Sequence, residues 1–359
     1  MMYEYWLSAI RPLSDKKKRL LREEYGDGKT IYNIEEIHLR FLNFLESRDV
    51  DTILRSKKEW EIEKCWEKLQ EQGIRMIPYF SEEYPKKLTN ISQPPYALYV
   101  KGSLPRENQV SVAIVGARRC THYGEQIALE YGEALASEGI QIISGMARGI
   151  DGAGQRGALN AGGATYGVLG CGVDICYPRE NIGLYMDIQQ KGGIISEQIP
   201  GQPPLPAYFP ERNRIISGLA DVVLVIEAKE KSGSLITADM ALEQGKDVYA
   251  LPGPVTSSMS QGCHRLIRQG AGILISPEDL LIELGINIVN QGQIIDKNEK
   301  VLESTENMVY SCLGLFPKGM SQLLEETGLN VQELLEQLIT LEMKGYVKEI
   351  SKNYYVKLR

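Results

Sequence analysis

From residue 110 to about 284, short apolar runs alternate with segments of helical character, and this alternation constrains the fold more than any other feature of the chain. The runs at 112–115, 141–144, 165–169, 193–196, 221–227, 247–251 and 273–275 have the length and apolar content of buried strands. Segments such as 126–137, 235–244 and 264–269 lie between them with helical character. Parallel neighbours need a crossover that covers the sheet, so this alternation predicts an α/β fold with a Rossmann-like, doubly wound, mostly parallel sheet. Ligands of such sheets bind beyond the carboxyl ends of the strands, near the point where strand order reverses. The residues that follow each strand are therefore the candidates for function.

At 359 residues the chain has room for two or three compact units. Residues 1–72 read as a small helical domain of sterile-alpha-motif or helix-hairpin-helix type. Leu13, Leu20 and Leu21 punctuate a Lys/Arg-rich segment that stops at Gly26-Asp27-Gly28, and Ile34, Ile37, Leu39, Leu42 and Leu45 follow at helical spacing. A glycine pair between short helices can touch a phosphate backbone; a bundle with a solvated basic face is the plainer reading. Residues 73–286 form an extended Rossmann-like domain, whose lead-in holds strands at 74–77 and 96–100. Residues 287–304 are polar and read as a linker. Helices at 308–315, 321–327 and 331–344, followed by a hairpin at 346–348 and 354–356, predict a winged helix over 305–359. Its third helix would enter a major groove in a DNA reader. Here that helix carries Glu333, Glu336 and Glu342 against Lys344 alone, which favours protein interaction over duplex reading.

The formal net charge of −7 argues against a protein that coats nucleic acid through bulk positive charge, so a nucleic-acid site must be a local patch on an acidic body. No apolar run approaches the roughly 18 residues of a membrane span. The basic cluster Lys16, Lys17, Lys18, Arg19 lies on the wrong side of the first apolar stretch for a secretory signal, so a cytoplasmic protein without membrane contact is expected. The six cysteines contain no C-x-x-C pair, and neither a metal site nor a disulfide framework is expected.

The first strand of the alternation runs into Gly116-Ala117-Arg118-Arg119, where a dinucleotide fingerprint would need a glycine at Arg118. The loop instead offers a glycine turn, two guanidinium groups and a following helix N-terminus, which are parts for binding phosphate directly. Taken alone it is equally a plain turn with surface arginines. The second strand ends in Ser144-Gly145-Met146-Ala147-Arg148-Gly149-Ile150-Asp151. A third loop, 209–218, supplies Arg212, Asn213, Arg214 and Ser217, and strand 221–227 leads to Lys231, Ser232, Gly233 and Ser234. Four loops on one sheet edge thus carry the same chemistry. No catalytic residue is expected: His122 reads as a phosphate contact or a surface group, Asp151 as a helix cap or an arginine's partner, and no Walker lysine or nucleophile elbow is present.

With these residues in view, the chain closely resembles the bacterial DNA processing protein A family (DprA, also called Smf). The resemblance rests on Ile114 to Arg118, on Ser144 to Asp151, on Phe209 to Leu219, on Ser232 to Ala238 and on Ala250-Leu251-Pro252-Gly253, with Tyr84 to Leu88 and Leu98 to Gly102 as a lead-in. It implies single-stranded DNA binding without a cofactor, a homodimer formed through the Rossmann-like domain, and loading of RecA recombinase onto incoming DNA in natural transformation. It further implies that Arg118 clamps a phosphate, that Arg212, Asn213 and Arg214 line the same pocket, and that Ser144, Gly145 and Arg148 add contacts. The family often has serine where Ala117 stands. Two other functions share the scaffold. Nucleotide phosphoribohydrolases use a Pro-Gly-Gly-x-Gly-Thr loop and a glutamate, which Ser232 to Thr237 lacks; a nucleotide-sensing protein would hold a small phosphate ligand in the same place.

Overall fold

The computed structural model describes residues 1–286 and 304–358, so all of the expected linker except Ser304 lies outside the described residues. Six helices open the chain: α1 (Met2–Ala9), α2 (Asp15–Tyr25), α3 (Gly28–Asn33), α4 (Glu36–Arg40), α5 (Ser47–Glu59) and α6 (Ile62–Glu71). Their ends are set locally. The Ser14 hydroxyl accepts from Lys17 N at the start of α2, Gly26 ends that helix at φ +87°, and Asp27 caps α3 through Lys29 N and Thr30 N. The Gly26–Gly28 turn is structural: Glu4 accepts from Gly28 N (2.9 Å), and a Cβ on Gly28 would lie 2.9 Å from the backbone of Tyr3 and Glu4.

The central sheet has nine strands in the order β1-β2-β6-β5-β4-β3-β7-β8-β9. They are β1 (Arg75–Pro78), β2 (Ala97–Gly102), β3 (Ser111–Val115), β4 (Gln141–Ser144), β5 (Thr165–Val168), β6 (Gly193–Ser196), β7 (Val222–Val225), β8 (Asp247–Ala250) and β9 (Gly272–Ile273). The pairings from β6 through β9 are parallel, whereas β1 and β2 add an antiparallel edge. The connecting helices are α7 (Lys86–Thr89), α8 (His122–Ser137), α9 (Ile150–Asn160), α10 (Ile182–Lys191), α11 (Tyr208–Leu219), α12 (Gly233–Glu243), α13 (Gln261–Arg268) and α14 (Pro277–Glu283). The chain lays down β3 to β6 in one direction and then returns to place β7 on the other side of β3. Strand order therefore reverses between β3 and β7.

Helices cover both faces, so β3 to β7 are buried throughout. The N-terminal helices do not keep a core to themselves: Trp6, Leu7, Leu21, Ile31 and Ile53 join Tyr96, Tyr99, Met146 and Ile194 of the sheet domain in one apolar cluster. Each such fully buried side chain contributes roughly 1.5–3 kcal/mol before chain entropy is counted. Glu4 pins the junction, accepting from Arg22 Nε (3.1 Å) and the Tyr96 hydroxyl (2.5 Å).

The last module is a winged helix: α15 (Ser304–Cys312), β10 (Lys318–Gly319), α16 (Met320–Thr327), α17 (Val331–Met343), β11 (Val347–Ser351) and β12 (Tyr354–Lys357), with its sheet in the order β10-β12-β11. Its own core holds Val309, Leu323, Leu334, Leu338, Leu341 and Val347. Among the described residues no helix is long and apolar enough to cross a membrane.

Candidate nucleic-acid interface

β3 delivers Gly116 to the reversal point, and only glycine fits there, because a Cβ would lie 2.6 Å from the Ile150 side chain at the start of α9. The loop continues to Thr121, whose hydroxyl accepts from Gly124 N and caps α8. Glu227, just past β7 and buried, accepts from Thr121 N (2.8 Å) and Thr121 Oγ1 (2.7 Å). That carboxylate ties together the two loops that flank the reversal.

A second brace lies under the β4 loop. Asp151 is buried at the cleft wall and accepts backbone N–H bonds from Gly116, Gly145 and Ala147 beside the Arg212 guanidinium. Burial pushes its carboxyl up, against the pull of Arg212 and those N–H groups; burial likewise lowers Arg212, to about 10, against the pull of Asp151. Arg212 donates through Nη1 to Gly145 O (3.0 Å) and to Val168 O, so that nitrogen joins the ends of β4 and β5, while its buried Nε has no partner among the described residues.

Between these braces opens a cleft of about 510 Å³. Gly116, Arg118, Arg212, Asn213, Ser232, Gly233 and Ser234 all line it. The Ser232 hydroxyl caps α12 by accepting from Ser234 N and lies 2.8 Å from Ser234 Oγ, so the start of a helix, the positive end of its dipole, lines the cavity together with small hydroxyls. Arg118 is exposed, its guanidinium 5.6 Å from the Phe209 ring centroid, and no carboxylate pairs with it among the described residues. It is the free positive charge of the cleft.

The other predicted site residues do not line it. Ser144 is still within β4, and its hydroxyl donates to Ile114 O (2.6 Å); Gly145 lies behind the cavity, bonded to Asp151 and Arg212. Arg214 is bidentate to Glu197 and donates to Gln93 O (2.8 Å), and Ser217 donates to carbonyls of its own helix. These two corrections share one cause. Residues 209–218 are not a loop but most of α11, entered through Pro210 in its first turn where proline costs no hydrogen bond. On a helix Phe209, Arg212, Asn213 and Ile216 share the face toward the cleft, and Arg214 and Ser217 turn away from it. Arg148 pairs with Glu180, while Arg119 and Lys231 are exposed outside the lining.

Sequence reasoning missed Tyr177, Thr237 and Glu227. Thr237 follows Ser234 by one turn of α12, a spacing that would have found it once the helix start was placed. Tyr177 lines the cleft from the loop after β5, with its ring 5.3 Å from Phe209. Neither Tyr123 nor Tyr208 offers a platform there: Phe316 stacks on Tyr123 (5.0 Å, 24°), and Arg11 covers Tyr208 (4.5 Å).

The arrangement is that of a Rossmann-like protein with a helix start, hydroxyls and an exposed arginine gathered at the strand-order reversal. Residues 75–285 match the family described as DNA recombination-mediator protein A, and residues 296–351 match the DprA winged helix domain. Protein Smf of Escherichia coli is 37% identical over 311 residues, covering 84% of this chain and 82% of its own length. The X-ray structure of DNA processing protein A from Streptococcus pneumoniae superposes with a TM-score of 0.69 at 33% identity, covering 79% of this chain and 98% of that one. A Helicobacter pylori DNA processing protein A structure, described for its single-stranded DNA binding mode, gives a TM-score of 0.53 at 31% identity over 59% of this chain and 95% of that one. The chain belongs to the DNA processing protein A (DprA/Smf) family.

Proposed function

We propose that this chain binds single-stranded DNA in the cleft between β3 and β7, holding a phosphate with Arg118 and the helix start at Ser232–Ser234. The observation that carries the reading is the unpaired, exposed Arg118 beside the Phe209 and Tyr177 rings. A free guanidinium next to aromatic faces suits a strand whose phosphate and base are both accessible. The protein acts as a binder rather than a catalyst in this reading: Asp151, the acidic residue of the lining, already accepts from three backbone N–H groups beside Arg212, so its oxygens are committed to holding the loops together. That weighs against a phosphoribohydrolase, and chromatography of nucleoside monophosphates incubated with the protein tests it, with no released base expected.

Because Arg214 is paired with Glu197 and Arg212 is buried against the carbonyls of Gly145 and Val168, one or two phosphates are neutralised in the cleft. Log affinity for single strands should then fall against log salt with a slope of about −0.7 to −1.4, and a slope steeper than about −3 would place the strand on a larger basic surface.

The active form in this reading is a homodimer joined at the open edge of the sheet. β9 is two residues long and ends the sheet, and Ile273, Ile275 (76% exposed) and Ile282 stand out beside it. Such an apolar edge invites a second copy. Ile275→Arg is expected to give a monomer by light scattering at concentrations where the parent is dimeric; an unchanged mass would move the interface elsewhere. Delivery of RecA recombinase onto the bound strand in the cytoplasm, during transformation or general recombination, completes the proposal. Its test is whether the protein speeds RecA assembly on single strands coated with single-strand-binding protein.

A further inference from the structure

We propose that the outward face of α17 is a docking surface for a basic amphipathic helix of another protein. The inward face of α17 is spent on the core of the module, through Leu334, Leu338 and Leu341, all fully buried. Beside that face Val331, Leu335, Ile339 and Met343 follow one another at four-residue steps, so they form one row that winds from the edge of the core toward solvent, with Ile339 and Met343 farthest from the core. Ile339 is 55% and Met343 85% exposed, and Leu335 is only half-buried. An uncovered apolar row on a helix that already has a complete core marks a contact with something else.

The charges beside the row select the occupant. Glu333, Glu336 and Glu342 are exposed, and the helix has no Lys or Arg of its own. Lys344, at its C-cap, is committed to Glu306. A duplex is excluded by repulsion between these carboxylates and phosphates. A second copy seated symmetrically would set acidic face against acidic face. A helix with an apolar stripe bordered by lysine or arginine satisfies both features, burying the row and meeting the carboxylates. Nothing in this depends on the cleft or on DNA.

The test uses the full chain and a labelled synthetic helix of about five turns, with leucines along one stripe and lysines on its borders. The expected result is saturable binding by fluorescence anisotropy, at least tenfold weaker for the same helix with glutamates in place of the lysines. Ile339→Asp should weaken it at least tenfold, and Glu336→Lys should shift preference toward the glutamate helix, with both variants melting like the parent because the positions are exposed. Equal binding of the two helices, indifference to Ile339→Asp, preferential binding of duplex DNA by this face, or self-association abolished by Ile339→Asp would each overturn the proposal.

Discussion

Replacing Arg118 with glutamate should weaken binding of a short single strand by about thirtyfold or more, with little change in melting temperature. A charge-assisted bond from a guanidinium to a phosphate contributes about 1.5–3 kcal/mol, and the introduced carboxylate adds repulsion; a loss of about 2 kcal/mol is already near thirtyfold. Stability should be unaffected, because the side chain is exposed and its neighbour is the face of Phe209 rather than a carboxylate. Arg119→Glu is the matched control. Its side chain is also exposed but outside the cleft lining, so its effect should be several-fold smaller. Equal effects of the two reversals would mean that the whole loop, and not the cleft, meets the strand.

The second large effect is on stability. α8 and α9 cross so closely that a Cβ on Gly132 would lie 2.1 Å from Gly154 O, and one on Gly157 would lie 2.1 Å from Leu129 O. Both obstacles are backbone, so relief requires the helices to separate. Gly132→Val should therefore cost about 3 kcal/mol or more and lower the unfolding midpoint in denaturant. Gly183→Ala provides the contrast: that position is in α10 with nothing within 4 Å, and the change should stabilise by roughly 0.5–1 kcal/mol. A tolerated Gly132→Val would contradict the close crossing.

The sheet was legible because the strand runs are short, apolar and bounded, which is how buried parallel strands read. The direction of β1 and β2 was not, since periodicity carries no sign. Their antiparallel pairing is fixed only by where the Pro-rich lead-in turns back onto β6. The cleft was half legible. Positions next to strand ends, such as Gly116, Arg118 and Ser232, fell where the strand-end rule puts them. Arg214 and Ser217 did not, because Pro210 and Gly218 gave α11 the look of a loop and a loop has no faces. Conversely, the G-x-G-x-x-G spacing of Gly152, Gly154 and Gly157 occurs inside α9. There Gly157 serves the approach to α8 and Gly154 lies 2.9 Å from Ile114 by its would-be Cβ, so the spacing records packing rather than a pyrophosphate. The C-terminal module was legible from its glycine stops, Gly328 and Gly345, which are both at positive φ.

The acidic net charge and the proposed anionic ligand are compatible because the charges are segregated. Arg148, Arg156 and Arg214 are each neutralised by a carboxylate, and Arg118 is left uncompensated at the cleft. A body of this sign around one free arginine discourages indiscriminate polyanion binding.

The most direct test of the central claim is a crystal structure of the full chain with a short oligothymidylate. The account predicts a phosphate in hydrogen-bond reach of Arg118 and the Ser232–Ser234 helix start, with a base against Phe209 or Tyr177. A strand seated on the winged helix or the N-terminal helices, with the cleft between β3 and β7 empty, would contradict it.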